Sequence, residues 1–548
     1  FEIDFNLESA KLDELISRFT NELPMVKTLP KLDVTGWSKW ENYNLRTLDF
    51  SFSQTKNSSP KIIPNVRGDM TKVDSGWNIN FLASASSRGK NISLGEVSNV
   101  LVMNKEQEPA IITKARNIDL GTALRLKNFL LPNSADKEIF SFQTSLEGKL
   151  KSLTSAYRFN RNKANDYLVR TTFNNLSSRG DPNVPAFSGL SGEAEIFPNG
   201  ADLTFVSSSL EIMKHPKVYR PLLFEKINGK LTWRSPKGGE HTSIFRRFSG
   251  TVNNIGFALN GHAIKDHNSN WHLDGILDID NAPASHLHHL IPANSLPEKG
   301  DYWLRHALAK GVIDHGSLII RGPMRKFPFR NMEGLFLGNL ELVDGKVKFS
   351  KFWPAAENVN GFMKLRGTSG YFDAKSATIK GVNISSGVVT SSDLFAKEKY
   401  VQIKADGSIN GGIPEELVRQ SPLKDTGASQ ILNFVISDTV DLSVDMSIPL
   451  FAGGKKSILG KAFLRQNDIK HKNIDLIFKA TTGTLIYDHG KWNGTDLKAM
   501  LDNANVKLDV RGGINAPSFN TEFVVTGTTP IEYIFNRLAR HSPSFLGW

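Results

Sequence analysis

Asp441-Leu442-Ser443-Val444-Asp445-Met446-Ser447-Ile448 alternates polar and apolar residues without a break. Successive side chains of a β-strand point to opposite faces, so this stretch predicts a strand with one dry face and one wet face. The same alternation sets Trp271, Leu273, Leu277 and Ile279 against His272, Asp274, Asp278 and Asp280. It places Val401 and Ile403 beside Gln402 and Lys404, and Val506, Leu508 and Val510 beside Lys507, Asp509 and Arg511. It recurs more loosely at Ile474, Leu476 and Phe478. One-sided strands of this kind belong to antiparallel sheets, because a parallel sheet is covered by helices on both faces. The expected fold is therefore mostly β: an elongated, curled antiparallel sheet with a few short amphipathic helices. The apolar members of these sets are the candidate lining of its dry face.

Small polar residues and glycine interrupt the pattern at short intervals. Asp344-Gly345 and Asn228-Gly229 have the composition of two-residue hairpin turns and are expected to be such turns. Short amphipathic stretches follow some strands, and several end at a proline, which blocks helix continuation. They comprise Leu12 to Leu23 before Pro24, Leu120 to Leu130 before Pro132, and Leu287, Leu290 and Ile291 before Pro292. Tyr302 to Leu308, Leu417 and Val418 before Pro422, and Ile531 to Leu538 before Pro543 complete the set. We read a degenerate repeat of meander and short helix over one region, 1–548, with weak seams near 131–140, 292–300 and 420–430.

The chain has 548 residues, no cysteine, 34 Phe but only 9 Tyr, and a net charge of +12. Disulfides and thiolate chemistry are excluded. Phe supplies apolar area without a hydroxyl to satisfy. The Lys and Arg are dispersed, with no run resembling a nucleic-acid arm, so no nucleic-acid partner is expected. No apolar stretch is long enough to span a bilayer as a helix. The chain opens at Phe1 within a strand-like pattern, which reads as a piece of a longer or processed protein whose membrane anchor lies elsewhere.

Catalytic patterns fail on their mechanics. Gly189-Leu190-Ser191-Gly192-Glu193 lacks the second glycine of a nucleophile elbow. Gly453-Gly454-Lys455-Lys456-Ser457 lacks the spacing that wraps phosphates and reads as a hairpin loop. His286, His288 and His289, with His306 and His315 downstream, offer imidazoles. Their spacing does not bring three to one helix face, and no fourth ligand is evident. The expectation is no enzyme, no metal and no cofactor.

The segment Ala186–Arg234 contains Phe187-Ser188-Gly189-Leu190, then Tyr219-Arg220-Pro221-Leu222, then Gly229-Lys230-Leu231-Thr232-Trp233. Tyr302-Trp303-Leu304, Phe327-Pro328-Phe329, Phe352-Trp353-Pro354 and Gln420-Ser421-Pro422-Leu423 follow in order. Over about 185–425 this pattern resembles the YhdP type of the AsmA-like superfamily. The resemblance implies an inner-membrane-anchored, periplasmic protein built as an open β-trough. It implies phospholipids as cargo, moved between inner and outer membranes to support the outer-membrane barrier. The sixteen apolar positions then become the candidate lipid path: Trp271, Leu273, Leu277, Ile279, Val401, Ile403, Leu442, Val444, Met446, Ile448, Ile474, Leu476, Phe478, Val506, Leu508 and Val510. The alternative is a non-transporting structural spacer with a filled core. An open trough should tolerate Val444→Asp and Leu508→Asp alike, whereas a filled core should unfold.

Overall fold

A computed structural model describes residues 2–11, 31–42, 44–54, 63–74, 76–87, 90–102, 110–121, 146–158, 166–180, 185–213, 221–236, 239–268, 270–290, 302, 305–349, 353–394, 396–425, 427–451, 453–472, 476–515, 518–528 and 532. The chain divides into two units: Phe1–Asn253 with Phe257–Leu273, and Asn254–Gly256 with Asp274–Trp548. The seams expected near 131–140 and 292–300 lie outside the described residues.

The first unit carries β1 (Glu2–Lys11), β2 (Lys31–Glu41), β3 (Asn44–Gln54), β4 (Ile63–Val73), β5 (Gly76–Ser87), β6 (Lys90–Val102), β7 (Ala110–Asp119), β8 (Leu146–Arg158), β9 (Asp166–Ser178), β10 (Phe187–Phe197), β11 (Gly200–Ile212), β12 (Leu222–Arg234) and β13 (His241–Val252). Each pairs antiparallel with the next. The division between units runs through β14 (Ile255–Lys265) and β15 (Trp271–Pro283).

The second unit carries β16 (Leu308–Pro323), β17 (Leu335–Val347), β18 (Ala356–Arg366), β19 (Ser369–Ile379), β20 (Val382–Ser391), β21 (Tyr400–Asn410), a short helix α1 (Glu415–Arg419), β22 (Phe434–Ile436), β23 (Thr439–Pro449), β24 (Ser457–His471), β25 (Ile477–Asp488), β26 (Lys491–Leu501), β27 (Ala504–Asn515) and β28 (Ser518–Gly527). It too is an antiparallel meander, except that β21 pairs directly with β23 while β22 lies against the far end of β24. The expectation of a mostly β, antiparallel fold with few and short helices holds.

The two dipeptides read as hairpin turns are not turns. Asp344-Gly345 lies inside β17 and Asn228-Gly229 inside β12. Both mark β-bulges, where the register between neighbouring strands slips. The residue types are the same because both features need a left-handed backbone, which Asn, Asp and Gly adopt most readily. Asn175, Arg247, Asp344, Ala480 and Asp496 all sit at such slips with φ between 47° and 56°.

A bulge leaves a backbone N–H without its ladder partner, and a recurring device satisfies it. The N–H of Asn175 donates to Ser191 Oγ at 3.0 Å, and that of Arg247 to Asn260 Oδ1 at 2.8 Å. The N–H of Asp344 donates to Asn360 Oδ1 at 3.0 Å, that of Ala480 to Asp468 Oδ1 at 2.9 Å, and that of Asp496 to Asp509 Oδ1 at 2.8 Å. In each case the acceptor comes from an adjacent strand. Bulges bend the strand and increase its twist, so the strands that carry them are creased, while β21 and β23 pair over their whole length without one. Fully buried apolar residues collect at or beyond the crease: Ile313, Leu342, Val359, Ile409 and Val440 in the second unit.

The connection between β21 and β23 holds α1 and two 3-10 turns, Pro422–Asp425 and Gly427–Asn433. Its last turn lies against β22, β26, β27 and β28. Beneath it is a filled core of Ile436, Val440, Leu464, Phe478, Leu497, Leu501, Val506 and Leu508, among others. The seam expected at 420–430 falls within this insert. Other expected helices fare differently. Leu287 and Leu290 lie in a 3-10 turn, Ala284–Leu290, not an α-helix. Tyr302 and 305–307 are helical. Leu12 to Leu23, nearly all of Leu120 to Leu130, and Ile531 to Leu538 except Glu532 lie outside the described residues.

The insert separates two positions that the sequence treats alike. Leu508 is 0% exposed within the filled core, whereas Val444 is only half-buried. Leu508→Ala is expected to cost about 2–5 kcal/mol and Leu508→Asp more, while Val444→Asp costs about 1 kcal/mol. Hydrogen exchange resolved by strand checks this: protection should collapse across β26 and β27 in the Leu508 variants and persist in Val444→Asp. For the crease, Asp509→Ala should lower stability by about 1 kcal/mol, and Asp509→Asn, which keeps the acceptor, should restore most of it. Equal losses in the two variants, measured by denaturant melts, would mean that the Asp496 N–H does not depend on that acceptor.

Candidate functional site

In an antiparallel pair, directly opposed residues point to the same face. The registers of the second unit therefore trace a single apolar row across seven strands. Leu340 opposes Met363, Met363 opposes Phe372, Phe372 opposes Val389, and Val389 opposes Ile403. Ile403 in turn opposes Met446, and Met446 opposes Ile458. At about 4.8 Å per strand the row spans roughly 29 Å. That is close to the ~30 Å hydrocarbon thickness of a bilayer.

None of the seven side chains is fully buried; each is partly accessible. A packed core would bury them. Val401 and Ile448 oppose each other on the same face, as do Ala405 and Val444, and Gly407 and Leu442. The reverse face is wet: Gln402, Lys404 and Asp406 are exposed. Lys404 pairs with Asp445 at 3.3 Å and Arg465 with Asp441 at 2.9 Å. Both pairs are exposed and so contribute little to stability. They fix which side meets water.

The first unit also builds a row across eight strands, Val97, Ala115, Leu153, Thr171, Ala194, Leu203, Leu231 and Phe245, but Ala115 and Ala194 are buried and Val97, Leu153 and Leu203 pack against a core with Ile118, Leu150 and Phe173. It is lined by smaller residues, and a polar step runs beside it. Asn99 opposes Thr113, which opposes Ser155, and Thr113 Oγ1 donates to Asn99 Oδ1 at 2.6 Å. The glycines of the Phe187-Ser188-Gly189-Leu190-Ser191-Gly192 motif let β10 bulge against β11. Gly192 has φ 156°, and a side chain there would collide with the Thr204 carbonyl oxygen.

The sequence-derived candidates fall into distinct environments. Val401, Ile403, Leu442, Val444, Met446 and Ile448 share the open face of the second unit. Leu273 and Leu277 are half-buried, Ile279 is fully buried, and Trp271 at the strand start is 44% exposed. Phe478, Val506, Leu508 and Val510 belong to the filled core, and Leu476 and Leu442 pack against it, Leu442 from the end of the open face. Ile474 lies outside the described residues. Leu340, Met363, Phe372, Val389 and Ile458 are on the open row but escaped the sequence reading. Phe362 and Val388 put apolar side chains on both faces of their strands, and a register slip in β20 between Ile384 and Ser386 breaks its period. The two-residue turn Gly367-Thr368 was the signal available, since it fixes the pairing of β18 with β19.

Polar clusters are committed to structural roles. Among the described residues no group of three His, Asp or Glu side chains is placed to hold a metal ion. His306 stacks on Tyr302 and bonds its carbonyl through Nδ1 at 2.7 Å. His315 contacts Asp280 at 2.9 Å, and that hydrogen bond raises its pKa. The displaced carboxylates all move downward. The Arg234 guanidinium holds Asp202 low, the Asn270 backbone Asp266, the backbone N–H of Glu333 its own carboxylate, Lys346 Glu357, and Lys380 Glu416. These groups are fixed as anions, the opposite of a general acid poised near neutrality.

No curated protein and no solved structure matches this chain. The YhdP protein family model matches residues 2–542, nearly its whole length and well beyond the motifs at 185–425. With its bulged antiparallel strands and the half-open apolar row of its second unit, the chain belongs to the YhdP family, whose members are cell-envelope proteins associated with lipid transport.

Proposed function

We propose that this chain conducts phospholipid acyl chains along the apolar faces of its sheets, in the periplasm, as part of a path between inner and outer membranes. The observation that carries the reading is the row from Leu340 to Ile458, apolar across seven strands yet only half-buried. Each methylene that moves from water onto such a surface gains up to about 0.8 kcal/mol. Acyl chains are the natural occupant because they need a long dry surface and no specific polar partner. The headgroup needs only water beside the sheet. Family membership supports the same reading.

A second reading, the structural spacer, has one observation in its favour. The filled core beneath the insert occupies the face of β25 to β27 as an ordinary hydrophobic core does. On the lipid reading that core anchors one part of the sheet, and transport uses the open row beside it.

The readings separate on the purified chain. A photo-crosslinking residue at Ile403 or Met446 should capture co-purified phospholipid, identified by mass spectrometry, and one at Lys404 on the wet face should not. Ile403→Asp should lower lipid occupancy about tenfold or more while the fold persists. Equal labelling from both faces, or none from Ile403 and Met446 in freshly purified protein, would leave the spacer reading in place.

A further inference from the structure

Consecutive antiparallel strands turn back at alternating ends, so the connections of the second unit sort onto two edges. Among the described residues, 324–334, 367–368, 392–394, 396–399, 450–451, 453–456 and 489–490 lie on the first edge. Residues 348–349, 353–355, 380–381, 411–425, 427–438, 472, 476 and 502–503 lie on the second. The two edges differ in charge. The described residues of the first carry seven Lys or Arg against three Asp or Glu, and those of the second five against five. On the second edge part of the charge is mutually satisfied, with Lys380 bonded to Glu416 and Arg419 to Glu415. On the first, Arg330 pairs with Asp393 at 3.5 Å, and Lys326, Lys397, Lys455 and Lys456 are exposed.

The dry face is also open toward the first edge and closed toward the second. Along β21, Ile409 at the second edge is 2% exposed, whereas Ile403 and Val401 are partly accessible. Along β23, Val440 is 2% exposed, Leu442 packs against the filled core, and Val444, Met446 and Ile448 are partly accessible on the same face. Along β17, Leu342 is buried and Leu340 is not. The first edge is amphipathic as well as basic. Phe327 packs edge-on against Phe329 and Phe336, with ring centroids 5.8 and 5.2 Å apart. Met332 stands 95% exposed between Arg330 and Glu333.

From these placements we propose that the first edge of the second unit is a phosphate rail. It binds the phosphodiester of a glycerophospholipid whose acyl chains lie on the open row with their methyl ends toward the buried crease. The proposal rests on the lipid reading above and adds an orientation to it. Bound lipids share one polarity, headgroups toward Lys326, Lys455 and Lys456 and tails toward Ile409 and Val440. Lysines on different loops suit this role, because a sliding phosphate needs a series of point charges and not one rigid chelating site.

The test uses the whole chain with a photo-crosslinking residue at Ile403. It is mixed with vesicles of phosphatidylethanolamine doped with either phosphatidylglycerol or a diacylglycerol of the same chains. Two triple variants reverse equal charge: Lys326→Glu/Lys455→Glu/Lys456→Glu on the first edge and Lys348→Glu/Lys424→Glu/Lys472→Glu on the second. All six lysines are exposed, so both variants should melt close to the parent. The first-edge triple should lower phosphatidylglycerol capture about tenfold or more and leave diacylglycerol capture unchanged. The second-edge triple should change neither.

Equal losses from both triples would reduce the effect to net charge and overturn the rail. A first-edge loss shared by diacylglycerol would do the same, since no phosphate is then being read. Inorganic phosphate, compared with chloride at equal ionic strength, should not displace phosphatidylglycerol; full displacement would make the edge a free-ion site and sink the proposal. If the unmodified chain captures no lipid at Ile403, the lipid reading itself fails. Capture that neither triple alters leaves that reading intact and removes only the rail.

Discussion

The architecture depends on how an antiparallel sheet can be creased without exposing unpaired backbone. A bulge bends a strand, and the N–H it frees must find an acceptor. Here the acceptor is a side chain on the neighbouring strand: Ser191 for Asn175, Asn260 for Arg247, Asn360 for Asp344, Asp468 for Ala480 and Asp509 for Asp496. The device ties each crease to an adjacent strand. Buried residues such as Leu342 and Val440 gather at the bend, and the remaining length of each strand is left as an open face. A flat meander with the same alternation would have no enclosed side.

That open face sets an energetic problem the rest of the chain addresses. Soluble monomers rarely expose contiguous apolar patches beyond a few hundred Å². The second unit answers it in two ways. Over β26 and β27 the Gly427–Asn433 turn closes the face and Leu497 and Leu508 become fully buried. Over the row from Leu340 to Ile458 the face stays accessible. A structural protein would gain from extending the cover. The different treatment of neighbouring strands in one sheet is what a binding surface flanked by an anchoring core requires.

The face assignments were legible in the sequence because alternation depends on nothing but the strand period. Asp441 to Ile448 therefore lies as expected, with its apolar members on one face. Two features were hidden. Bulges use the residue types of hairpin turns, so Asp344-Gly345 and Asn228-Gly229 read as strand ends when they are bends within strands. The depth of a site was hidden as well. Leu508 and Val444 have the same local pattern, but Leu508 lies in the core beside the insert, distant from it in sequence, while Val444 stays half-buried. Phe372 and Val389 were missed for a related reason: a slipped register breaks the period on which the reading relies, although the pairing across strands preserves the row.

The open row also changes what stability means for this chain. The row from Leu340 to Ile458 is only partly buried among the described residues, whereas Val440 and Leu464 on two of the same strands belong to the filled core; something apolar lying on the row would complete its packing. A ligand that binds the folded state adds RT ln(1 + [L]/Kd) to its stability. Acyl chains on this face would therefore act as cargo and as the missing half of a core. The two roles pull in opposite directions: cargo must leave, so no single site should hold it tightly. On the proposed lipid reading, a row built from Leu, Met, Phe, Val and Ile without a hydrogen-bonding group would satisfy both demands: affinity would be spread evenly along the surface, and moving a chain by one strand would exchange one apolar contact for an equivalent one.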